Sequence, residues 1–316
     1  MPRALITGIT GQDGSYLAEL LLAKGYEVHG LVRASSQPEK SALAPFVSRL
    51  KLHVASLTEA ETLKQIVATV APDELYHLAA QTHVGPSVTD PLTTLDFNTL
   101  GTVRLLAACH ALSSKPRFFH ASTSQIFGQP DVEPQDESTA FHPVNPYGVS
   151  KVAATSLVRI AREAQGLFAV NGILYNHESP RRGPEFVTAK ICRAAAAIKQ
   201  GRASELKLGD TTAQRDWGDA RDFVEGFWLA LQASRPDDYV FATGELHSVQ
   251  EVVEIAFGTV GLDWQAYVQT DSTLFRAADP KRLLGNPAKA RRELGWQPRT
   301  PFHQLITEMT ETALVA

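Results

Sequence analysis

ALITGITGQDGSYLAELLLAKG, residues 4–25, is the stretch that decides the fold. An apolar run leads into Gly8, Gly11 and Gly14, and a helical pattern then covers residues 15–24. Glycines between a strand and a helix permit a tight turn and bring the backbone close to a pyrophosphate at the helix N-terminus. The stretch therefore predicts a dinucleotide-binding turn, with a purely steric use of glycine as the alternative.

Short strands and longer helical patterns alternate through the first half of the chain. Strands are predicted at residues 3–7, 27–32, 51–55, 74–78, 117–121 and 168–174, and helices at 15–24, 60–70, 97–112 and 147–164. This order indicates an α/β protein with a Rossmann-type, doubly wound parallel sheet. A later strand at 239–242 is expected to rejoin that sheet.

The alternation breaks after residue 175, where turn-forming and charged residues follow one another. We therefore expect two domains. Residues 1–175 and about 219–243 form the dinucleotide-binding domain, and about 176–218 and 244–316 form a smaller, discontinuous α/β domain that binds the substrate.

Composition excludes several classes of protein. The 316 residues carry a net charge of −4, with 44% hydrophobic and 20% charged residues, which is typical of a folded globular chain rather than a disordered one. Mild acidity gives no reason to expect nucleic acid or a membrane surface as a partner. Only Cys109 and Cys192 are present, which argues against a disulfide framework or a cysteine zinc site, and no metal site is expected. With no apolar segment of about 20 residues and no signal peptide, a cytoplasmic location is predicted.

The end of the second strand bears on the choice of cofactor. NAD-binding enzymes usually carry an acidic residue there, whereas this chain has Arg33, Ser35 and Ser36 and no carboxylate before Glu39. A guanidinium beside two hydroxyls suits a 2′-phosphate, so we expect NADP rather than NAD. The alternative is that Arg33 is a solvated surface residue.

Tyr147 and Lys151 stand one helical turn apart, on the same face of a predicted helix. A lysine ammonium near a phenol stabilises the phenolate, which lets a tyrosine exchange protons near neutral pH. The cluster Ser122, Thr123 and Ser124 follows a predicted strand and can offer a hydroxyl to the same substrate oxygen. The chemistry predicted is hydride transfer between a carbinol and a nicotinamide.

Beyond these motifs, the chain resembles the extended short-chain dehydrogenase/reductases and, within them, the GDP-mannose 4,6-dehydratase family. The resemblance rests on the segments ALITGITGQDGSYLAELLLAKGYEVHGLVR, YHLAAQTHVGPS, STS, NPYGVSK, GILYNHESPRRG, EFVTAKI, LGDTTAQRDWGDARDFVEGFWLAL and LLGNPAKA. It implies an enzyme of deoxysugar biosynthesis that converts GDP-mannose to GDP-4-keto-6-deoxymannose and begins by oxidising the hexose at C4. It also implies a nucleotide sugar held between the two domains.

The resemblance assigns roles to individual positions. The implied catalytic residues are Thr123, Gln125, Tyr147 and Lys151. The implied cofactor-binding residues are Gly8, Gly11, Gln12, Asp13, Gly14, Arg33, Leu78, Ala79, Ala80, Tyr147 and Lys151. The implied substrate-binding residues are His83, Ser87, Ser124, Asn176, Lys190, Arg215, Arg276 and Asp279.

One catalytic position departs from the family pattern, because Gln125 stands where the dehydratases have a glutamate that removes the C5 proton. An amide cannot take up a proton at accessible pH. Three explanations stay open: another base, an engineered Glu→Gln replacement, or a different chemistry such as NDP-hexose 4-epimerisation or 4-ketoreduction. A non-catalytic NADP or nucleotide-sugar binding protein is a further alternative.

Milder departures concern the nucleotide and the assembly. Asp279 replaces an expected glutamate, which weakens the preference for guanosine, and the loop after Arg33 is short, which leaves a tetramer as an open alternative to a dimer. The helices at 97–112 and 147–164 could still form a four-helix interface. A homodimer is therefore the minimum expected.

Overall fold

A computed structural model of the chain describes residues 1–274 and 282–315. The strands are β1 (Arg3–Thr7), β2 (Glu27–Val32), β3 (Lys51–Val54), β4 (Glu74–His77), β5 (Arg117–Ala121), β6 (Ala169–Leu174), β7 (Asn176–Glu178), β8 (Leu206–Leu208), β9 (Gln214–Arg215), β10 (Trp217–Asp219), β11 (Asp238–Phe241), β12 (His247–Ser248) and β13 (Val268–Thr270). The α-helices are α1 (Gln12–Ala23), α2 (Ala60–Val70), α3 (Val84–Thr89), α4 (Pro91–Leu95), α5 (Gly101–His110), α6 (Pro146–Glu163), α7 (Val187–Lys199), α8 (Ala220–Gln232), α9 (Val249–Thr259), α10 (Ala288–Leu294) and α11 (Phe302–Val315).

The central sheet has the strand order β11-β6-β5-β4-β1-β2-β3, and every neighbouring pair is parallel. The order reverses between β1 and β4, which is where a doubly wound sheet opens a crevice at the carboxyl ends of its strands. The predicted fold class is confirmed. The strand predicted at 239–242 does rejoin the sheet, as β11 beside β6.

Successive residues of β1 point to opposite faces of the sheet, and helices cover both faces. On one face Ile6 packs in a cluster with Leu17 of α1 and Phe227 of α8. On the other face Leu5 packs in a cluster with residues of α2, α5 and α6, Val158 among them. All five of these side chains are buried, so the sheet forms the middle of three layers.

A second hydrophobic cluster is built by α7, α9 and α11, away from the sheet. Ile191, Phe257 and Leu305 are completely buried in it, and Trp217 is nearly so. This cluster comes from the later part of the chain, where the sequence alternation had broken.

The structure differs from the predicted elements between β4 and the end of α5. The predicted helix 97–112 is split, because a π-helical turn over Asp96–Leu100 precedes α5. The short helices α3 and α4 lie between β4 and α5, in a stretch for which no helix was predicted. Pro91 takes the first position of α4, where a missing N–H costs nothing. In the described part of the chain, no helix combines the length and apolarity needed to span a membrane.

Candidate active site

The glycine turn closes at the point where the strand order reverses. Gly8 has a φ of +76°, and a Cβ there would lie 2.8 Å from the backbone nitrogen of Ala79. A Cβ on Gly14 would collide with the carbonyl oxygen of Gly8, whereas one on Gly11 would lie 3.3 Å from it. No side chain caps the start of α1 at Gly11, so the first N–H groups of the helix are open to an anion. The turn therefore fits a pyrophosphate.

The loop after β4 faces this turn through its backbone. The Leu78 N–H donates to the Thr7 carbonyl oxygen at 3.3 Å, and the Ala79 N–H donates to the Thr7 hydroxyl at 3.1 Å. These bonds fix Leu78, Ala79 and Ala80 beside Gly8, at the crevice where the sequence predicted cofactor contacts.

Gln12 and Asp13 direct their side chains to residues 176–182, which we call the strap. Gln12 Nε2 donates to the His177 carbonyl oxygen at 3.0 Å, and Gln12 Oε1 accepts from the Ser179 hydroxyl at 2.8 Å. Asp13 Oδ2 lies 2.8 Å from His177 Nε2. These two residues can thus offer a cofactor their backbone N–H groups, while their side chains join α1 to the strap.

Arg33 lies in an exposed turn directly after β2. The Ser36 N–H donates to the Arg33 carbonyl oxygen at 2.9 Å, and the Arg33 N–H donates to the Ser36 hydroxyl at 3.2 Å. Within residues 1–274 and 282–315 the guanidinium of Arg33 makes no ion pair or hydrogen bond, which leaves it accessible to a ligand.

Tyr147, Lys151 and Thr123 meet beyond the carboxyl end of β5. Tyr147 lies in the first turn of α6, and burial raises its pKa to about 12, against the lowering effect of a hydrogen bond with Thr123. Lys151 Nζ donates to the Ala121 carbonyl oxygen at 2.7 Å, and burial lowers its pKa to about 7. The structure brings these three predicted catalytic residues together.

Gln125 lies beside them in the short 3₁₀ turn that follows Thr123. Its N–H donates to the Thr123 hydroxyl at 3.3 Å, and its side-chain oxygen accepts from Asn145 Nδ2 at 3.4 Å. Ser124 is buried in the same turn. Asn145 was missed by the sequence reasoning, although an asparagine before a proline at the start of a helix is an N-cap signal, and its side chain does accept from the Gly148 N–H at 2.8 Å.

His83 and Ser87 are carried by the loop after β4 and by α3. Ser87 is completely buried, and its hydroxyl accepts from the Tyr147 N–H at 3.2 Å. His83 is the N-cap residue of α3, and its ring stacks on Phe186 with the centroids 5.4 Å apart. His83 therefore faces the segment before α7, and Ser87 supports the helix that carries Tyr147.

The predicted substrate-side residues lie in the strap and the elements after it. Asn176 begins β7, which pairs with β10, and Lys190 Nζ of α7 donates to the Lys207 carbonyl oxygen at 2.7 Å. Arg215 is buried on β9 and donates to the Gln214 carbonyl oxygen at 2.7 Å. Arg276 and Asp279 lie outside the described residues. Across the described part of the chain, no group of three or more histidine, cysteine or carboxylate side chains is placed to hold a metal ion.

A family model described as GDP-mannose 4,6 dehydratase matches residues 5–309. The chain belongs to the GDP-mannose 4,6-dehydratase family. GDP-mannose 4,6 dehydratase 2 of Arabidopsis thaliana is 47% identical over 98% of this chain and 86% of that protein. The predictions of the family and of an enzyme of the short-chain dehydrogenase/reductase type are confirmed.

Solved structures of related enzymes share the fold over nearly the whole chain. The structure of RMD from Pseudomonas aeruginosa, complexed with NADPH, is 27% identical with a TM-score of 0.82 and covers 100% of both chains. DesIV, a dTDP-glucose 4,6-dehydratase from Streptomyces venezuelae with NAD and TYD bound, is 26% identical with a TM-score of 0.87 and covers 98% of this chain and 96% of its own. These two relatives bind different nicotinamide cofactors, NADPH in the first and NAD in the second.

Proposed function

We propose that this member of the family is an NADP-dependent enzyme that converts GDP-mannose to GDP-4-keto-6-deoxymannose, beginning with oxidation of the hexose at C4. The observation that carries the proposal is the meeting of Tyr147, Lys151 and Thr123 at the carboxyl edge of the sheet, where the glycine turn also lies. Family membership over residues 5–309 supports the same reaction.

The cofactor site is assigned to the glycine turn and the loop after β4. Gly8, Gly11 and Gly14 give the turn its shape, and the uncapped start of α1 suits a pyrophosphate. We assign NADP because the guanidinium of Arg33, after β2, has no partner among the described residues, and because NADPH is bound in the related Pseudomonas structure. When bound, the nicotinamide supplies the acceptor for the hydride that leaves C4.

We assign Tyr147 the role of accepting the proton of the C4 hydroxyl. Thr123 is assigned a hydrogen bond to the same oxygen. Burial raises the pKa of Tyr147 to about 12, while its hydrogen bond with Thr123 and the charge of Arg182 act in the opposite direction and favour the phenolate that accepts the C4 proton. Lys151 uses one N–H on the Ala121 carbonyl and has two more for the nicotinamide ribose. The three residues thus orient the carbinol and move its proton.

The substrate is assigned to the smaller domain, residues 176–218 and 244–316. Within this domain, Asn176, Lys190 and Arg215 are the described residues proposed to contact it, and His83, Ser87 and Ser124 are proposed contacts from the larger domain. Lysine and arginine side chains bind diphosphate through charge-assisted hydrogen bonds, which suits a GDP-linked sugar. Burial of Arg215 against β12 gives its guanidinium a fixed position.

Gln125 favours a second candidate, in which the C4 oxidation serves a 4-epimerase or a 4-ketoreductase. The amide of Gln125 cannot remove the C5 proton, and that proton is lost only in the dehydration. RMD, a structural relative at 27% identity, has the same fold and binds NADPH.

The two candidates differ in whether C5 exchanges its hydrogen and C6 loses its hydroxyl. The chain is incubated with GDP-mannose and NADP in deuterated water, and products are followed by proton NMR and mass spectrometry. Dehydration gives a product lighter by one water, with deuterium at C5. A C6 hydroxymethyl that survives in every product would reject the dehydratase in favour of the second candidate.

We also propose a homodimer in a reducing, cytoplasmic compartment. Cys109 and Cys192 are buried and unpaired, as is usual where thiols stay reduced. The dimer is proposed through α5 and α6, which pack side by side and keep apolar side chains such as Val103 and Val149 exposed.

A further inference from the structure

We infer that His83 takes up the C5 proton in the water-loss step and that Glu185 orients its ring, a role that rests on the proposed dehydration. Loss of water across C5 and C6 of a 4-keto hexose needs a proton acceptor beside C5. Thr123, Ser124 and Gln125 follow β5 with hydroxyl and amide groups, and none of these accepts a proton near neutral pH.

The nearby acidic and basic side chains are mostly engaged elsewhere. Asp13 pairs with His177 at 2.8 Å. Glu178 is buried and accepts from the Thr188 hydroxyl at 2.6 Å. Lys151 and Lys190 each donate to a backbone carbonyl.

His83 and Glu185 differ from these groups in that both side chains are partly exposed. Their side chains are 43% and 47% exposed, and they face each other from the loop after β4 and the segment before α7. We place the C5 side of the substrate between these two segments, where it would meet both side chains.

The backbone that carries His83 is fixed to the helix that carries Tyr147. The Gln81 side chain accepts from the His83 N–H at 2.6 Å and donates to the His83 carbonyl at 3.0 Å. Asn98 binds both backbone polar groups of Gln81 and donates to the Ser150 hydroxyl at 3.0 Å. This chain of bonds holds His83 in a set position relative to the residues that contact C4.

The ring of His83 is also oriented. It stacks on Phe186, and its Nε2 lies 3.8 Å from Glu185 Oε1. A carboxylate on that side favours the tautomer with the proton on Nε2, which leaves the Nδ1 lone pair to accept a proton. Among the described residues Nδ1 has no hydrogen-bond partner.

The step balances within the substrate and one imidazole. The C5–H bond breaks, its proton moves to His83 Nδ1, and its electron pair forms the C5=C6 double bond. The C6–O bond breaks as the imidazolium passes that proton to the C6 oxygen, so that the hydroxyl leaves as water. No oxidant or second base is consumed in this elimination.

The test compares the wild-type chain with H83N, E185Q and H142N in deuterated water with GDP-mannose and NADP. His142 is an exposed histidine bonded to the Gln129 carbonyl, so H142N is the matched control. We expect H83N to lose water about 10²–10⁴-fold more slowly, with no deuterium at C5, while reduced nicotinamide accumulates because C4 oxidation persists. E185Q, which leaves the Gln81 anchor intact, should be slowed less, and H142N should match the wild type.

A structural role for His83 would lower C4 oxidation and water loss together. Added imidazole should restore water loss in H83A, which a folding defect does not allow. Wild-type rates of C5 exchange in H83N would reject the role of His83 alone. A wild-type chain that oxidises C4 but never loses water would instead reject the proposed dehydration, and the role of His83 with it.

Discussion

His177 Nε2 lies 2.8 Å from Asp13 Oδ2, and this ion pair joins the strap to the first turn of α1. The His177 ring also bonds the Tyr175 carbonyl oxygen through Nδ1 at 2.8 Å and stacks on Phe223. Since Asn176 is the neighbour of His177 and Asp13 belongs to the glycine turn, the pair ties a proposed substrate contact to the cofactor turn.

D13N should lower the free energy of unfolding by about 3 kcal/mol at pH 6, because it leaves a buried imidazolium without its partner. Burial raises the pKa of Asp13, but the charge of His177 and the hydrogen bonds from His177 and Gln12 together outweigh burial, and the net pKa is lowered. For His177, burial lowers the pKa, Asp13 outweighs it, and the net pKa is raised. Urea unfolding measures the loss of stability. E19Q is the control, because Glu19 is exposed and pairs with Arg181 at the surface. E19Q should change the free energy of unfolding by less than about 0.5 kcal/mol.

The difference in unfolding free energy between the wild type and D13N should depend on pH, because the pKa of Asp13 is lowered and that of His177 is raised. The Asp13 contribution is present above about pH 4 and is lost as pH falls through its lowered pKa. The His177 contribution is complete below about pH 6.5 and is lost as pH rises through its raised pKa. The difference between wild type and D13N should therefore be largest between about pH 4 and 6.5. A D13N curve that parallels E19Q over this range would contradict the pairing.

K151M should abolish C4 oxidation and yet raise the free energy of unfolding at pH 7. Burial lowers the pKa of Lys151 to about 7, so the unfolded chain binds the proton that the folded chain gives up. Each unit of that shift corresponds to about 1.4 kcal/mol. The cost of the buried amine is greatest below pH 7 and declines as pH rises to about 10.4, where the stabilisation by K151M should vanish.

The measurement for K151M is urea unfolding at pH 7 and at pH 10.5, beside a kinetic assay of C4 oxidation. K64M is the matched control, because Lys64 is exposed on α2 and its loss should leave both quantities unchanged. A K151M chain that is less stable than the wild type at pH 7 would show that the Lys151–Ala121 hydrogen bond outweighs the cost of burial.

R33A should weaken NADP binding by about 10- to 100-fold and leave NAD binding nearly unchanged. The expected loss is the 1.5–3 kcal/mol of a charge-assisted bond to the 2′-phosphate, which NAD lacks. Calorimetric titration with each cofactor measures it, and R49A is a control because Arg49 is exposed elsewhere after β2. An equal loss of affinity for NADP and NAD would show that the guanidinium contacts a part of the dinucleotide that both cofactors share.

The sheet could be predicted from the sequence because its strands are short apolar runs bounded by turns. Arg3–Thr7, Glu27–Val32 and Arg117–Ala121 have the bounds that the pattern gave. Tyr147 and Lys151 could be found because one helix fixes their spacing. Both the strand bounds and the spacing of this residue pair are set by residues close together in the sequence.

The pairs that assemble the site join distant parts of the chain, which no local pattern encodes. His177 is 164 positions from Asp13, and the partner of His83 is Glu185, on another segment. Gln12 and Asp13 were expected at the cofactor, yet their side chains bind the strap, because packing of the strap on α1 decides where they point. The π-helical turn at Asp96–Leu100 likewise depends on packing rather than on its residues alone.

I160E should convert the proposed homodimer into monomers. Val149 and Ile160 are 46% and 51% exposed and stand three helical turns apart on one face of α6, and Leu100 and Val103 are exposed at the start of α5 beside it. A charge on such an apolar face must be desolvated without a partner when two copies meet, which costs several kcal/mol. Sedimentation equilibrium gives the mass of each species, and V132E is the control, since Val132 is equally exposed in a loop outside these helices. A wild-type mass of one chain would reject the dimer, whereas a dimeric I160E chain would place the interface on another surface.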